Sequence, residues 1–142
     1  MEVVLAFHLK GDTPSEVIEV LEYMIREDPL NASAPPFELP DHPFFQDDPS
    51  AGFYLYRQDW LFFTKMDEGY FANIPHANMY QYGPGQEYRV SIRTNIPFYW
   101  VLKVDEFLDW LKPYILGAGN GDKFVGYWRS EFEDLPVTIL HV

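Results

Sequence analysis

Residues 3–25, VVLAFHLKGDTPSEVIEVLEYMI, read as an alternating strand, a polar turn and a helix with one apolar face, and the same order returns at residues 88–115, YRVSIRTNIPFYWVLKVDEFLDWLKPYI. In the first copy Val3, Leu5, Phe7 and Leu9 share one side, and Val4, Ala6 and His8 share the other. Both sides are largely apolar, which predicts a central strand over residues 2–10. Thr13-Pro14-Ser15-Glu16 then supplies an N-cap, a proline at the first helical position and a glutamate three residues after the cap. The helix that follows places Val17, Ile18, Leu21, Met24 and Ile25 on one stripe, with Glu16, Glu19, Glu22 and Arg26 largely away from it. It is expected to end near Asp28-Pro29, because proline disfavours helix at the residue before it.

In the second copy Val90, Ile92 and Thr94 oppose Arg89, Ser91 and Arg93, so one face meets core and the other does not. After Pro97, the residues Val104, Phe107, Leu108, Leu111 and Ile115 recur at helical spacing, and Pro113 should stop the helix near Lys112. Each copy is followed by a short aromatic strand, at residues 53–57 and 123–130, and a last strand is expected at 137–142. Strand–helix–strand written twice predicts an α+β fold: a ferredoxin-like two-layer sandwich with an antiparallel sheet of 4–5 strands and two helices on one face. A chain of 142 residues with 47% hydrophobic content is expected to form one domain over its whole length. Two stretches show no sustained period and are expected to be long loops. Residues 30–52 hold five prolines with Asp41, Asp47 and Asp48, and residues 66–86 are rich in aromatics and close on Gly83-Pro84-Gly85.

The net charge of −12 argues against nonspecific binding to nucleic acid or to an anionic membrane, both of which are held chiefly by Lys and Arg. The acidity is concentrated in residues 1–50, which contain 11 Asp or Glu against Lys10 and Arg26. Such a face suits a basic protein partner. The absence of cysteine excludes disulfides, thiolate zinc sites and cysteine nucleophiles. No stretch approaches the ~20 apolar residues of a membrane span, and a cytoplasmic location is the default expectation.

Catalytic and cofactor motifs are missing from the sequence, and no cofactor is called for. Gly117-Ala118-Gly119-Asn120-Gly121 follows a helix where a phosphate loop precedes one, so it reads as a C-cap and turn. His8, His42, His76 and His141 show no metal spacing, although His8 and His141 both fall in predicted strands. Asp47-Asp48 and the run Glu131, Glu133 and Asp134 read as solvated turns.

The more distinctive pattern concerns arginine. Arg89 and Arg93 should stand on the helix-free face of the sheet, and Tyr127 and Arg129 join them when Phe124, Gly126 and Trp128 face in. Tyr54, Tyr56 and His8 fall on that face by the same alternation. Guanidinium groups fork onto carboxylate or phosphate, so Arg89, Arg93 and Arg129, with Tyr54, Tyr56, Tyr127 and His8, form the candidate binding set. Two functional expectations follow. One is a noncatalytic interaction or inhibitory module, in the manner of small acidic immunity proteins that block a basic toxin. The alternative is a small-molecule-binding protein or enzyme that holds an anionic ligand on the Arg/Tyr-lined face, with the aromatic loop Tyr70 to Tyr82 contributing. A homodimer through the sheet is compatible with either.

Overall fold

The computed structural model describes residues 1–26, 35–46, 76–96, 101–117, 123–130 and 137–142. Their elements follow the sequence as β1 (Glu2–Leu9), α1 (Ser15–Arg26), β2 (His76–Gln81), β3 (Tyr88–Asn95), α2 (Val101–Leu111), β4 (Phe124–Arg129) and β5 (Thr138–His141). The five strands form one antiparallel sheet in the order β2-β3-β1-β4-β5. The fold is therefore α+β, and β1 is central as its two apolar sides predict. The unit β1-α1-β2 leaves a gap filled by β3, and the unit β3-α2-β4 leaves a gap filled by β1.

Alternation sorts the two faces. Val3, Leu5, Phe7 and Leu9 from β1 are buried with Val90 and Ile92 from β3 and with the apolar stripes of both helices, in a single cluster. From α1 the buried set is Val17, Ile18, Val20, Leu21, Tyr23 and Met24, and from α2 it is Val104, Phe107, Leu108, Trp110 and Leu111. The expected capping contact to Glu16 is replaced by a local knot, in which the buried Thr13 hydroxyl donates to the Lys10 carbonyl at 2.6 Å. Pro113 stops α2 as anticipated. The chain then runs back along the end of β1, where Leu9 and Ile115 form a bridge and the Leu116 amide donates to the His8 carbonyl at 2.9 Å.

Two local readings differ from the sequence expectation. Residues 76–81 lie in the stretch read as loop, yet they form β2, because Ala77 and Met79 pack against the core. In β4 an irregularity between Phe124 and Gly126 inserts one residue, so Val125 takes the core position and Phe124 turns out, 52% exposed and 5.9 Å from the His141 ring. Gly126 makes this possible. Its φ of +147° is in the region that side chains avoid, and a Cβ there would meet the Val4 carbonyl oxygen at 2.0 Å. In the proline-rich crossover, residues 43–45 form a 3-10 turn whose Phe44 and Phe45 are buried against Trp110, Phe44 also meeting Phe107. Lys103 fastens it by donating to the carbonyls of Phe44 and Gln46 at 3.0 and 3.1 Å. The expected strand at 53–57, and with it Tyr54 and Tyr56, lies outside the described residues.

Candidate functional site

The helix-free face is built from the polar half of each strand's alternation. The register pairs His8 with Arg89, Ala6 with Ser91 and Val4 with Arg93 across β1 and β3. On the far side of β3, Tyr80 lies opposite Arg89 and Asn78 opposite Ser91. On the far side of β1, Tyr127 lies opposite Val4 and Arg129 opposite Glu2. The sheet thus carries all five of the described candidate residues, but it distributes them between two separate groups.

In the first group, Arg93 and Arg129 converge on one carboxylate. Glu2 Oε2 accepts from Arg93 Nε and Nη2 at 3.2 and 2.8 Å, and Glu2 Oε1 accepts from Arg129 Nε at 2.8 Å. The Glu2 side chain is 7% exposed. Burial pushes its pKa up, but the Arg93 hydrogen bonds, the Arg129 charge and hydrogen bond and the Arg93 charge outweigh that and hold it below the ordinary carboxylate value. Each guanidinium here is engaged in a charge-assisted bond inside the fold. Tyr127, half-buried between Val4 and Ile139 in the register, sits beside this group and away from Arg89.

The second group surrounds Arg89. Among the described residues Arg89 makes no ion pair; its guanidinium instead lies 4.8 Å from the centre of the Tyr82 ring. Tyr80 and Tyr82 meet edge to face with centroids 5.2 Å apart and hydroxyl oxygens at 3.4 Å. The Tyr82 hydrogen bond and the neighbouring Arg89 hold the Tyr80 phenol below its ordinary pKa, and the same hydrogen bond raises that of Tyr82. On the other flank His8 Nδ1 is 2.9 Å from Glu87 Oε2, with both side chains about half exposed. A tight turn delivers Tyr82 and Glu87 to this place: the Gln86 amide donates to the Gly83 carbonyl at 3.0 Å, with Pro84 and the positive-φ Gly85 between them.

Between these groups the sheet dips. Ala6 and Ser91 are paired small residues, and with His8, Tyr80 and Arg89 they line a hollow of about 260 Å³. A second cleft of about 220 Å³ lies between α2 and β5, where Asp105 is pushed up by burial and by Glu106. Its other carboxylate, Asp109, is bonded to His42 at 3.1 Å, and Lys112 stands in the same cleft as a built-in counter-charge. His42 therefore has a structural duty, and it also accepts the Phe44 amide at 3.1 Å. His8 and His141 sit on strands separated by β4. Among the described residues no cluster of three His, Asp or Glu could hold a metal, and no helix is long and apolar enough to cross a membrane.

Of the residues in these two groups, Glu2 and Glu87 are absent from the sequence expectation, whereas Tyr80 and Tyr82 belong to the aromatic loop expected to contact a ligand. Glu2 was within reach, since it shares the two-residue period of Val4, Ala6 and His8. Compared with protein-family models, with curated proteins and with solved structures, the chain matches none.

Proposed function

We propose that this chain is a noncatalytic binding module that receives an anionic group on the helix-free face of its sheet, in the hollow over Ala6 and Ser91. The observation that carries the reading is the state of Arg89. Among the described residues it borders the hollow without a carboxylate of its own, whereas Arg93 and Arg129 are bound to Glu2. An arginine stacked on a tyrosine is pre-oriented to fork onto an incoming oxyanion. A ferredoxin-like plan belongs to the same proposal: the two interlocked strand–helix–strand units support it, with β5 added beside β4. In a thermal-shift screen of anionic small molecules, the stabilising compounds should lose their effect with Arg89→Ala. They should retain it when Arg93→Ala is scored against its own lowered baseline. Hits indifferent to Arg89→Ala would sink the reading.

A second reading has its own surface. Glu16, Glu19 and Glu22 follow one another along the exposed side of α1 without an ion pair among the described residues, in a chain of net charge −12. That stripe favours an interaction or inhibitory module for a basic protein. Affinity capture at low salt followed by native mass spectrometry should then give a stoichiometric complex that dissolves as salt rises. Failure to form one removes this second reading and leaves the first untouched.

A further inference from the structure

We infer that the hollow beside Arg89 is a site for a small monocarboxylate with an apolar body, rather than for a phosphate; the inference rests on the sheet-face reading above and narrows it. Three features of the site lead there. The first is charge. Among the described residues Arg89 is its cation without an ion pair, Glu87 stands next to it, tied to the lining residue His8 at 2.9 Å, and the next guanidinium along β3, that of Arg93, is engaged by Glu2. A dianion would meet one free cation and one carboxylate in a chain of net charge −12. A single carboxylate matches one guanidinium fork, and the fork has two parallel N–H donors to offer it. The second feature is the lining. Ala6 and the Tyr80 ring provide apolar lining, and Ser91 adds a neutral polar residue to it. Sites for organic ligands have this make-up, mostly apolar with a few placed polar groups. The third is size. At about 260 Å³ the hollow falls just below the range of roughly 300–1,000 Å³ typical of drug-sized ligands. It therefore suits a short acid, or a carboxylate presented by one residue of a peptide.

The inference makes Arg89 the anchor, Ala6 the space for the ligand's body and Ser91 a secondary hydrogen-bond partner. Ala6 and Ser91 are exposed on the open face, so substitutions there leave the core cluster alone.

The test is a titration of the full chain, followed by backbone amide NMR, with benzoate, hexanoate, inorganic phosphate, benzyl alcohol and a short peptide bearing a free or an amidated C-terminus. Benzoate or hexanoate should shift the amides of Ala6, His8, Arg89 and Ser91 in a saturable way, and benzyl alcohol should not. Arg89→Lys, which keeps the charge and loses the fork, should weaken binding by about tenfold. Ala6→Leu, which fills the space and leaves the charges in place, should abolish it, and an unchanged amide spectrum elsewhere verifies the fold of each variant. If the free-terminus peptide saturates the same amides more tightly than the acids, and the amidated one does not, the carboxylate is presented by a polypeptide and the inference stands in that form. If phosphate binds with the same dependence on Arg89 while the carboxylates do not, the ligand class is overturned and the anionic sheet-face site survives. If no anion shifts these amides, both fall.

Discussion

Arg93 and Arg89 lie four residues apart on one strand and on one face, yet they have opposite fates. Arg93 joins Arg129 on a carboxylate that is 7% exposed, and the three side chains tie β3, β1 and β4 together. Arg89 lies at the narrower end of the same sheet, beyond the stretch of β1 that pairs with β4, where the opposing residues are His8 and Tyr80 and Glu87 is engaged with His8. Residue type and strand position are shared, so the distinction arises from the neighbours. An arginine next to a buried glutamate of its own face is part of the fold, and one next to small residues and rings is available to a ligand.

The contrast predicts a descending series of stability effects. Gly126→Ala should be the most damaging, by about 3 kcal/mol or more, because a Cβ there meets the Val4 carbonyl at 2.0 Å, within the stretch of β1 and β4 that aligns Glu2 with Arg129. Urea denaturation measures it, and a loss below ~1 kcal/mol would mean that the strand can reform without its irregularity. Glu2→Gln should cost about 2 kcal/mol, less than the ~3–5 of a fully buried pair, because Arg93 and Arg129 are 35% and 53% exposed. The same substitution should alter the acid limb of stability. Glu2 has a lowered pKa in the folded state, so its contribution is complete above the ordinary value of 4.5 and is lost as the pH falls through the lower folded value. The wild-type advantage over Glu2→Gln should therefore be flat at neutral pH and shrink only in acid. Smallest of all, Arg89→Ala should change stability by less than ~0.5 kcal/mol while removing anion binding. If Arg89→Ala destabilised as much as Glu2→Gln, the two arginines would not differ in kind.

Much of this frame is legible in the sequence, and the gaps have physical causes. Alternation in residues 2–9 and 88–95 and the helical spacing of both amphipathic stripes are local signals, and they placed the core and the open face correctly. β2 escaped because its inward residues are Ala77 and Met79, which lack the β-branched or aromatic character that marks a strand. Phe124 was assigned to the wrong side because one inserted residue reverses parity for everything before it. The Glu2 pairings join residues 91 and 127 positions apart, and no local pattern reveals which partners a register brings opposite each other. Tyr82 and Glu87 reach Arg89 and His8 by way of a turn whose geometry is readable but whose destination is not.

The bridge from Leu9 to Ile115 has a kinetic consequence. All the hydrogen-bonding neighbours of β1 among the described residues come late in the chain: residues 88–95 on one side, and residues 114–116 and 126–129 on the other. During synthesis this apolar strand is made well before any of these neighbours and waits for them before its edges can be paired. Closing contacts over such separations slows folding, and an uncovered strand of this composition is a template for aggregation until they close. Fragments truncated before residue 126 should therefore be markedly less soluble than the full chain, even though they retain both helices.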